Sequence, residues 1–315
     1  MLVLLCLVVA RPALAGERYA LVVTGASGGE PYAGTYAAWR VSLVSTLRET
    51  FGYTRDRLFV LAEEESDGVR KASRDEVQRV FGELARRVTK DDQLFVLLVG
   101  HGTSLGADEA KFNLVGPDLS AREWAALVRP IRGRLIFVNA ASASFPFLRW
   151  MAGRNRVVVT ATDSAAQQFE TVFPEYFVRA FEDGAADADR NGRVSIWEAF
   201  SYASAGVRNW FTQQGQLPTE RPLLDDTGAG IGREAAAPGT DGAVARVTYV
   251  EPDAPLALPS DAATAALVRR RADLERQLEE LRARKDMMVP AQYDAGLESL
   301  LVEIARLSAE IRKKT

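Results

Sequence analysis

Apolar runs alternate with amphipathic stretches between residues 17 and 226, and this alternation is the chain's main structural signal. Residues 18–25 (RYALVVTG) read as a first strand that closes on a glycine-rich turn. Residues 32–51 read as a helix with Ala37, Val41, Leu43, Val44 and Leu47 on one side. Residues 57–62 give a second strand, and Ser73 with Asp75 and Glu76 opens a helix carrying Val77, Val80, Phe81 and Leu84. Residues 94–99, 135–138 and 157–160 supply three more strands, and 173–181 and 196–211 two more helices. Strands this continuously apolar, separated by helices, predict a parallel sheet buried on both faces. The fold class is α/β: a parallel-sheet sandwich with helices on both faces, spanning 16–226. Residues 112–119 fit an edge strand and turn. Trp124, Trp150, Trp197 and Trp210 fall in helical segments and are expected in the core.

The material then changes. Residues 227–259 are rich in Gly, Ala and Pro, apart from one strand-like piece at 245–250, and read as a linker that partly docks on the main domain. Ser260 and Asp261 then cap a helix carrying Leu267, Leu274, Leu278 and Leu281, and Pro290 starts another. In the second, Tyr293, Leu297, Leu300, Ile304, Leu307 and Ile311 step by four and three, as a coiled-coil seam does. Residues 260–315 are therefore predicted to form an antiparallel helical hairpin. It can dock on the main domain or pair with another copy.

Candidate chemistry concentrates at strand ends, where open α/β sheets place their sites. His101, the chain's one histidine, follows the strand at 94–99 and precedes Gly102. The next strand runs into Asn139, Ala140, Ala141, Ser142, Ala143 and Ser144. A glycine beside a histidine lets backbone approach a substrate closely, and backbone N–H groups can hold an oxyanion.

Strand, His-Gly, helix, strand and then a nucleophile is the layout of caspase-like and legumain-like cysteine peptidases. The chain resembles that clan, which includes the related GPI-transamidase subunit, over residues 19–202. The resemblance rests on residues 23–28 after the first strand, on His101-Gly102, and on 139–144. It implies that Asn139 takes an acidic position, Ala140 a small one and Ala141 that of the nucleophilic cysteine. An alanine cannot attack, so the resemblance implies a pseudoenzyme in which His101 is a relict or a plain strand-end histidine. The alternative is a peptide or ester hydrolase that uses Ser142 or Ser144 with His101 as base. The chain also resembles a cysteine-free set of uncharacterised bacterial secreted proteins, through 139–144, 160–162, 170–173 and 219–226. In that set an Asp/Asn-rich Gly turn follows the paired aspartates, whereas Thr227–Gly230 stands here, which argues against a second cation site.

The strongest local motif is DADRNGRVSIWE at 187–198, which matches an EF-hand loop. Side-chain oxygens of Asp187, Asp189 and Asn191, the Arg193 carbonyl, Ser195 through water and a bidentate Glu198 would hold calcium. Gly192 would permit the sharp turn. The same residues admit another reading, in which Ser195 and Glu198 form a capping box and the aspartates a simple turn.

Composition narrows the setting. The chain is 315 residues, 47% hydrophobic and 26% charged, with mean hydropathy −0.09. Its net charge of −3 gives no nucleic-acid footprint. Residues 1–15 read as a secretory signal ending in Ala13-Leu14-Ala15, and their apolar run is shorter than the roughly 20 residues a bilayer requires. Cleavage would remove Cys6 and with it every thiol, leaving a secreted or periplasmic chain without disulfides. The expected partner is a protein or peptide, with self-association through the hairpin as a further option.

Overall fold

The computed structural model describes residues 16–104, 106, 109–253 and 258–314, with the side chain of residue 286 set aside. The expected secretory signal at 1–15 lies outside them. The chain divides into two compact units, one from Glu17 to Pro252 and one containing the residues from Asp253 onward.

In the first unit, seven strands make one sheet. In chain order they are β1 (Arg18–Thr24), β2 (Leu58–Ala62), β3 (Arg70–Lys71), β4 (Gln93–Val99), β8 (Arg134–Asn139), β9 (Arg156–Thr160) and β10 (Leu223–Asp225). Their spatial order is β10-β9-β8-β4-β1-β2-β3, all parallel except β10, which runs antiparallel to β9. Three further strands among the described residues, β5 (Gly102–Ser104), β6 (Ala110–Phe112) and β7 (Leu119–Ser120), form a small antiparallel sheet. Of the strand and turn expected at 112–119, only the two ends coincide with strands, at Phe112 in β6 and Leu119 in β7.

Every position of β4 is buried, which is why its sequence shows no polar alternation. Its side chains divide between two cores. Phe95, Leu97 and Val99 pack with α1 (Glu30–Ser45), α5 (Phe173–Arg179) and α6 (Ile196–Gln213). Leu94, Val96 and Leu98 pack with α2 (Arg74–Arg87), α3 (Ala121–Val128) and α4 (Pro146–Met151). The predicted sandwich with helices on both faces is thus the observed one. Of the face expected on the first helix, Leu43 on α1 and Leu47 in the π-helical turn that follows it (Thr46–Thr50) are buried, joined by Tyr36, while Val41 is 61% exposed. The seven-residue step from Tyr36 to Leu43 keeps the large aromatic over the sheet, and Val41 falls off that stripe. Trp124 is fully buried among Phe81, Phe112 and Phe137. Trp197 and Trp210 are half-buried, and Trp150 is 38% exposed on a six-residue helix whose inward positions are taken by Phe147, Leu148 and Met151.

Residues 227–252 pack as part of the first unit. The strand expected at 245–250 begins instead as a 3-10 turn, Ala245–Val247. The buried Asp226 carboxylate accepts the N–H of Gly242 (2.9 Å) and of Ala245 (2.7 Å), and this turn chemistry outweighs the β-branched sequence. Only Tyr249 reaches strand geometry, in a single bridge to Ser195. Its carbonyl accepts from Arg18 (3.1 Å) and Gln93 (2.8 Å), the first residues of β1 and β4.

The second unit holds the predicted hairpin. Helix α7 (Ala262–Ala283) is capped by Asp261, whose carboxylate accepts the Thr264 N–H (2.7 Å). It packs along α8 (Pro290–Lys314), with Leu274, Leu278, Leu307 and Ile311 buried between them. Among the described residues no helix is long and apolar enough to cross a membrane.

Glu220, 1% exposed, ties the loop before β10 to the start of α5. Its two oxygens accept the N–H groups of Val172 and Phe173, each at 2.8 Å. Burial pushes its carboxyl up to about 8, against the pull of those two bonds. Burial likewise raises Asp241 to about 6. A carboxyl whose folded value exceeds its unfolded one binds more protons when folded, so its stabilising share is complete below the unfolded value and is lost as pH rises through the folded one. Thermal unfolding between pH 5 and 9 should therefore show the melting temperature falling through about pH 8. Glu220→Gln should flatten that limb.

Candidate functional site

The loops that follow β4, β8 and β9 meet at the carboxyl edge of the sheet. Gly100 leaves β4 with φ 149°, and a side chain there would crowd the backbone of Gly25. His101 then stands half-buried with its imidazole against α1. Its Nε2 lies 2.9 Å from the Ser27 carbonyl, which can only accept, so the proton belongs on Nε2. The Tyr36 hydroxyl lies close to both ring nitrogens, 3.2 Å from Nε2 and 3.4 Å from Nδ1, and with the Nε2 proton turned to Ser27 it can donate only to Nδ1. The Tyr32 ring meets the imidazole edge-on with centroids 4.7 Å apart. Burial, with Glu170 and Tyr32 adding to it, holds the Tyr36 phenol above its ordinary range. Ser27 is fixed in turn, its N–H donating to Glu63 at 3.0 Å, and the Ser27 bonds pull the Glu63 carboxyl down.

The segment after β8 is packed into the interior. Asn139 turns its side chain back to accept the Ala141 N–H (3.1 Å). Ala141, at the position the resemblance gives to the nucleophile, is fully buried in the core beside α4. Ala143 takes a left-handed φ of 48° and is held there by a bond from its N–H to the Gln167 carbonyl (2.6 Å). Such a conformation costs a non-glycine residue roughly 1–2 kcal/mol, so its neighbours must fix it. Ser144 is buried and bonded to Thr162, hydroxyl to hydroxyl at 3.1 Å.

Ser142 makes the most informative contact. Its hydroxyl accepts the Gly102 N–H at 3.0 Å and donates to the Gly102 carbonyl at 3.1 Å. A Cβ on Gly102 would sit 2.2 Å from the Ser142 carbonyl oxygen. The glycine beside the histidine is therefore needed because the protein's own backbone closes on it. The N–H that might face an oxyanion is already occupied. Among the described residues neither serine hydroxyl is bonded to His101. The structure thus brings His101, Ser142 and Ser144 to one edge of the sheet without joining them into a proton relay. Tyr32, Tyr36 and Glu63 escaped the sequence reading, since nothing local links them to position 101, while Ser27 lies in the 23–28 segment that carries the resemblance.

Beside these loops lies a depression of about 430 Å³, lined by Ser104, Phe145, Asp163, Ser164, Ala166 and Gln168 among others. Phe145 is 38% exposed there, and Phe169 nearby in sequence is 75% exposed.

The acidic loop is a separate feature, between α5 and α6. Carboxylate oxygens of Asp187, Asp189 and Glu198 lie within 4.8 Å of one another. Calcium–oxygen distances of about 2.3–2.6 Å place opposite ligands roughly that far apart. Asp187 accepts the N–H groups of Asn191 (3.1 Å) and Gly192 (2.8 Å), and Gly192 has φ 84°. Asn191 offers its side-chain oxygen to the Arg193 N–H (2.8 Å). Glu198 is more heavily engaged. One oxygen accepts from the Ala188 and Asp189 N–H groups, the other from the Ser195 N–H and hydroxyl. The capping box is therefore formed in full. The all-oxygen donor set fits a hard cation, and a bidentate Glu198 would have to release these four donors. Residues 248–251 close over the loop: Ile196 N–H donates to Thr248 (2.8 Å), and the Arg193 guanidinium stands 4.1 Å from the Tyr249 ring centre.

No family model matches the chain, and no curated protein matches it either. Among solved structures it is similar to the crystal structure of protein GSU0716 from Geobacter sulfurreducens. That likeness has 12% identity and a TM-score of 0.44, and it covers 66% of this chain and 92% of the other. Nothing about function is taken from a likeness of that degree.

Replacing Gly102 with Ala should cost about 1–3 kcal/mol, the range for forced overpacking. Ser142→Ala should cost a similar amount, because it strands a buried N–H and C=O. Urea unfolding of both variants checks this; two wild-type midpoints would show that the contact contributes nothing to stability.

Proposed function

We propose that the chain is an exported caspase- or legumain-like pseudopeptidase that works as a calcium-stabilised binding or scaffold protein. The observation that carries this reading is the reciprocal bond between Ser142 and Gly102. It occupies the candidate nucleophile and the candidate oxyanion donor at once, next to an alanine where the resemblance puts the cysteine. With Nε2 of His101 donating to Ser27, the imidazole is also short of a free face for a substrate proton. The depression rimmed by Phe145 suits a protein or peptide ligand, and the C-terminal hairpin offers a second surface for association.

In this reading Asp187, Asp189, Asn191, the Arg193 carbonyl and Glu198 hold the cation, with Ser195 acting through water. Bound calcium would supply a fixed double positive charge that knits the loop together. The role is structural: the loop joins α5 to α6 and lies beneath residues 248–251.

Digestion of a peptide library by the protein in calcium, read by mass spectrometry beside a His101→Ala control, should give identical products. Cleavage lost in the control would replace this reading with the serine hydrolase and make Ser142 and Ser144 the next targets. Calcium at ten times its dissociation constant should raise stability by about 1.4 kcal/mol over a chelator, as mass action requires. The rise should vanish in Asp187→Asn/Asp189→Asn, and an unchanged melting temperature in the parent would remove the ion from the reading.

A further inference from the structure

The inner seam of α8 is used up on α7, but the opposite side of the same helix is open. At 3.6 residues per turn, Ala295, Glu298, Val302, Arg306 and Ala309 fall on one stripe, roughly 120–180° from Ile304 and Ile311. Val302 is 62% exposed at its centre, and Ala295, Glu298 and Arg306 are exposed around it. Ala295, Glu298, Ser299, Val302 and Arg306, with Glu303 at the margin, line a shallow depression along this face.

Several charges elsewhere on the hairpin find partners within it. Arg270 meets Glu303 (3.3 Å), Arg276 meets Glu280 (2.9 Å) and Arg271 meets Glu275 (3.4 Å). Glu298 and Arg306 make no ion pair among the described residues. Eight residues separate them, about 12 Å along the helix axis, so they cannot meet within one chain.

The stripe is nevertheless its own complement. Laid antiparallel on a second α8 with the two-fold axis at Val302, each residue 302 + k faces 302 − k. Glu298 then faces Arg306 twice, Ala295 faces Ala309 twice, and Val302 meets its own copy. A two-fold contact requires this matching of a patch with itself. The alanines leave room for the backbones to approach, and the single valine gives the centre an apolar contact.

We infer that this face of α8 is a homodimer contact, in which two copies of the chain pair antiparallel about Val302, α8 against α8, with each α7 on the outer side. The inference rests on the reading of the hairpin as an association element and fixes its partner, its face and its register.

Sedimentation equilibrium of the full chain tests it. The wild type should dimerise. Glu298→Arg and Arg306→Glu should each weaken the dimer about tenfold, because two exposed attractions per dimer become like-charge contacts. The double reversal should restore the dimer. An equimolar mixture of the two single variants should form a heterodimer. One copy then carries two cations on the stripe and the other two carboxylates, so both facing pairs are again of opposite sign.

The far-ultraviolet circular dichroism of all variants should match the parent, because both positions are exposed. A monomeric wild type would overturn both the dimer and the hairpin's role in self-association. A dimer indifferent to all three charge reversals would overturn this face and register while leaving self-association through another surface standing.

Discussion

Burial of the central strands on both faces is the constraint from which the rest of the first unit follows. β4 has no exposed position, and β1 and β8 are each covered except at their first residue. A sheet of this kind is stable only when helices lie on both sides, so α1, α5 and α6 must cover one face and α2, α3 and α4 the other. Polar chemistry is thereby expelled to the strand ends. The carboxyl edge receives His101 and the serine-bearing segment. The amino edge receives residues 248–250, through bonds from Arg18, Gln93 and Tyr53.

At the carboxyl edge the same pressure to satisfy buried polar groups decides the chemistry. A hydroxyl and a peptide unit that reach the interior must find partners, and Ser142 and Gly102 find each other. A catalytic edge needs the reverse: donors left unsatisfied until substrate arrives. His101 follows the same rule, with Ser27 and Tyr36 taking its two nitrogens. What remains open at this edge is the depression where Phe145 and Ala166 stand among the polar Ser104, Asp163, Ser164 and Gln168.

How much of this was legible in the sequence depended on distance along the chain. The strands were legible because continuous β-branched runs report burial directly. The hairpin was legible because its leucines repeat at the coiled-coil interval. The turn geometry of residues 187–198 was also legible, since Asp187, Asn191 and Gly192 interact within one loop. Residues 245–250 misled because their β-branched composition says nothing of Asp226, which caps them from 19 residues away. The surroundings of His101 were hidden for the same reason: Tyr36 lies 65 residues before it, and Ser142 lies 40 residues after Gly102. On α1, Val41 satisfied a hydrophobic pattern that Tyr36 had already anchored on another face.

The place of β1 in the sheet bears on how the fold is reached. It is the first strand among the described residues, yet it lies inside the sheet between β2 and β4. A chain emerging amino end first presents this strand long before β4, whose register begins with Gln93 opposite Arg18. Until then one edge of an apolar strand is bare, a condition that invites pairing with other chains. Closure of the sheet is consequently a late, long-range event, and the interval before it is when the nascent chain most needs shelter.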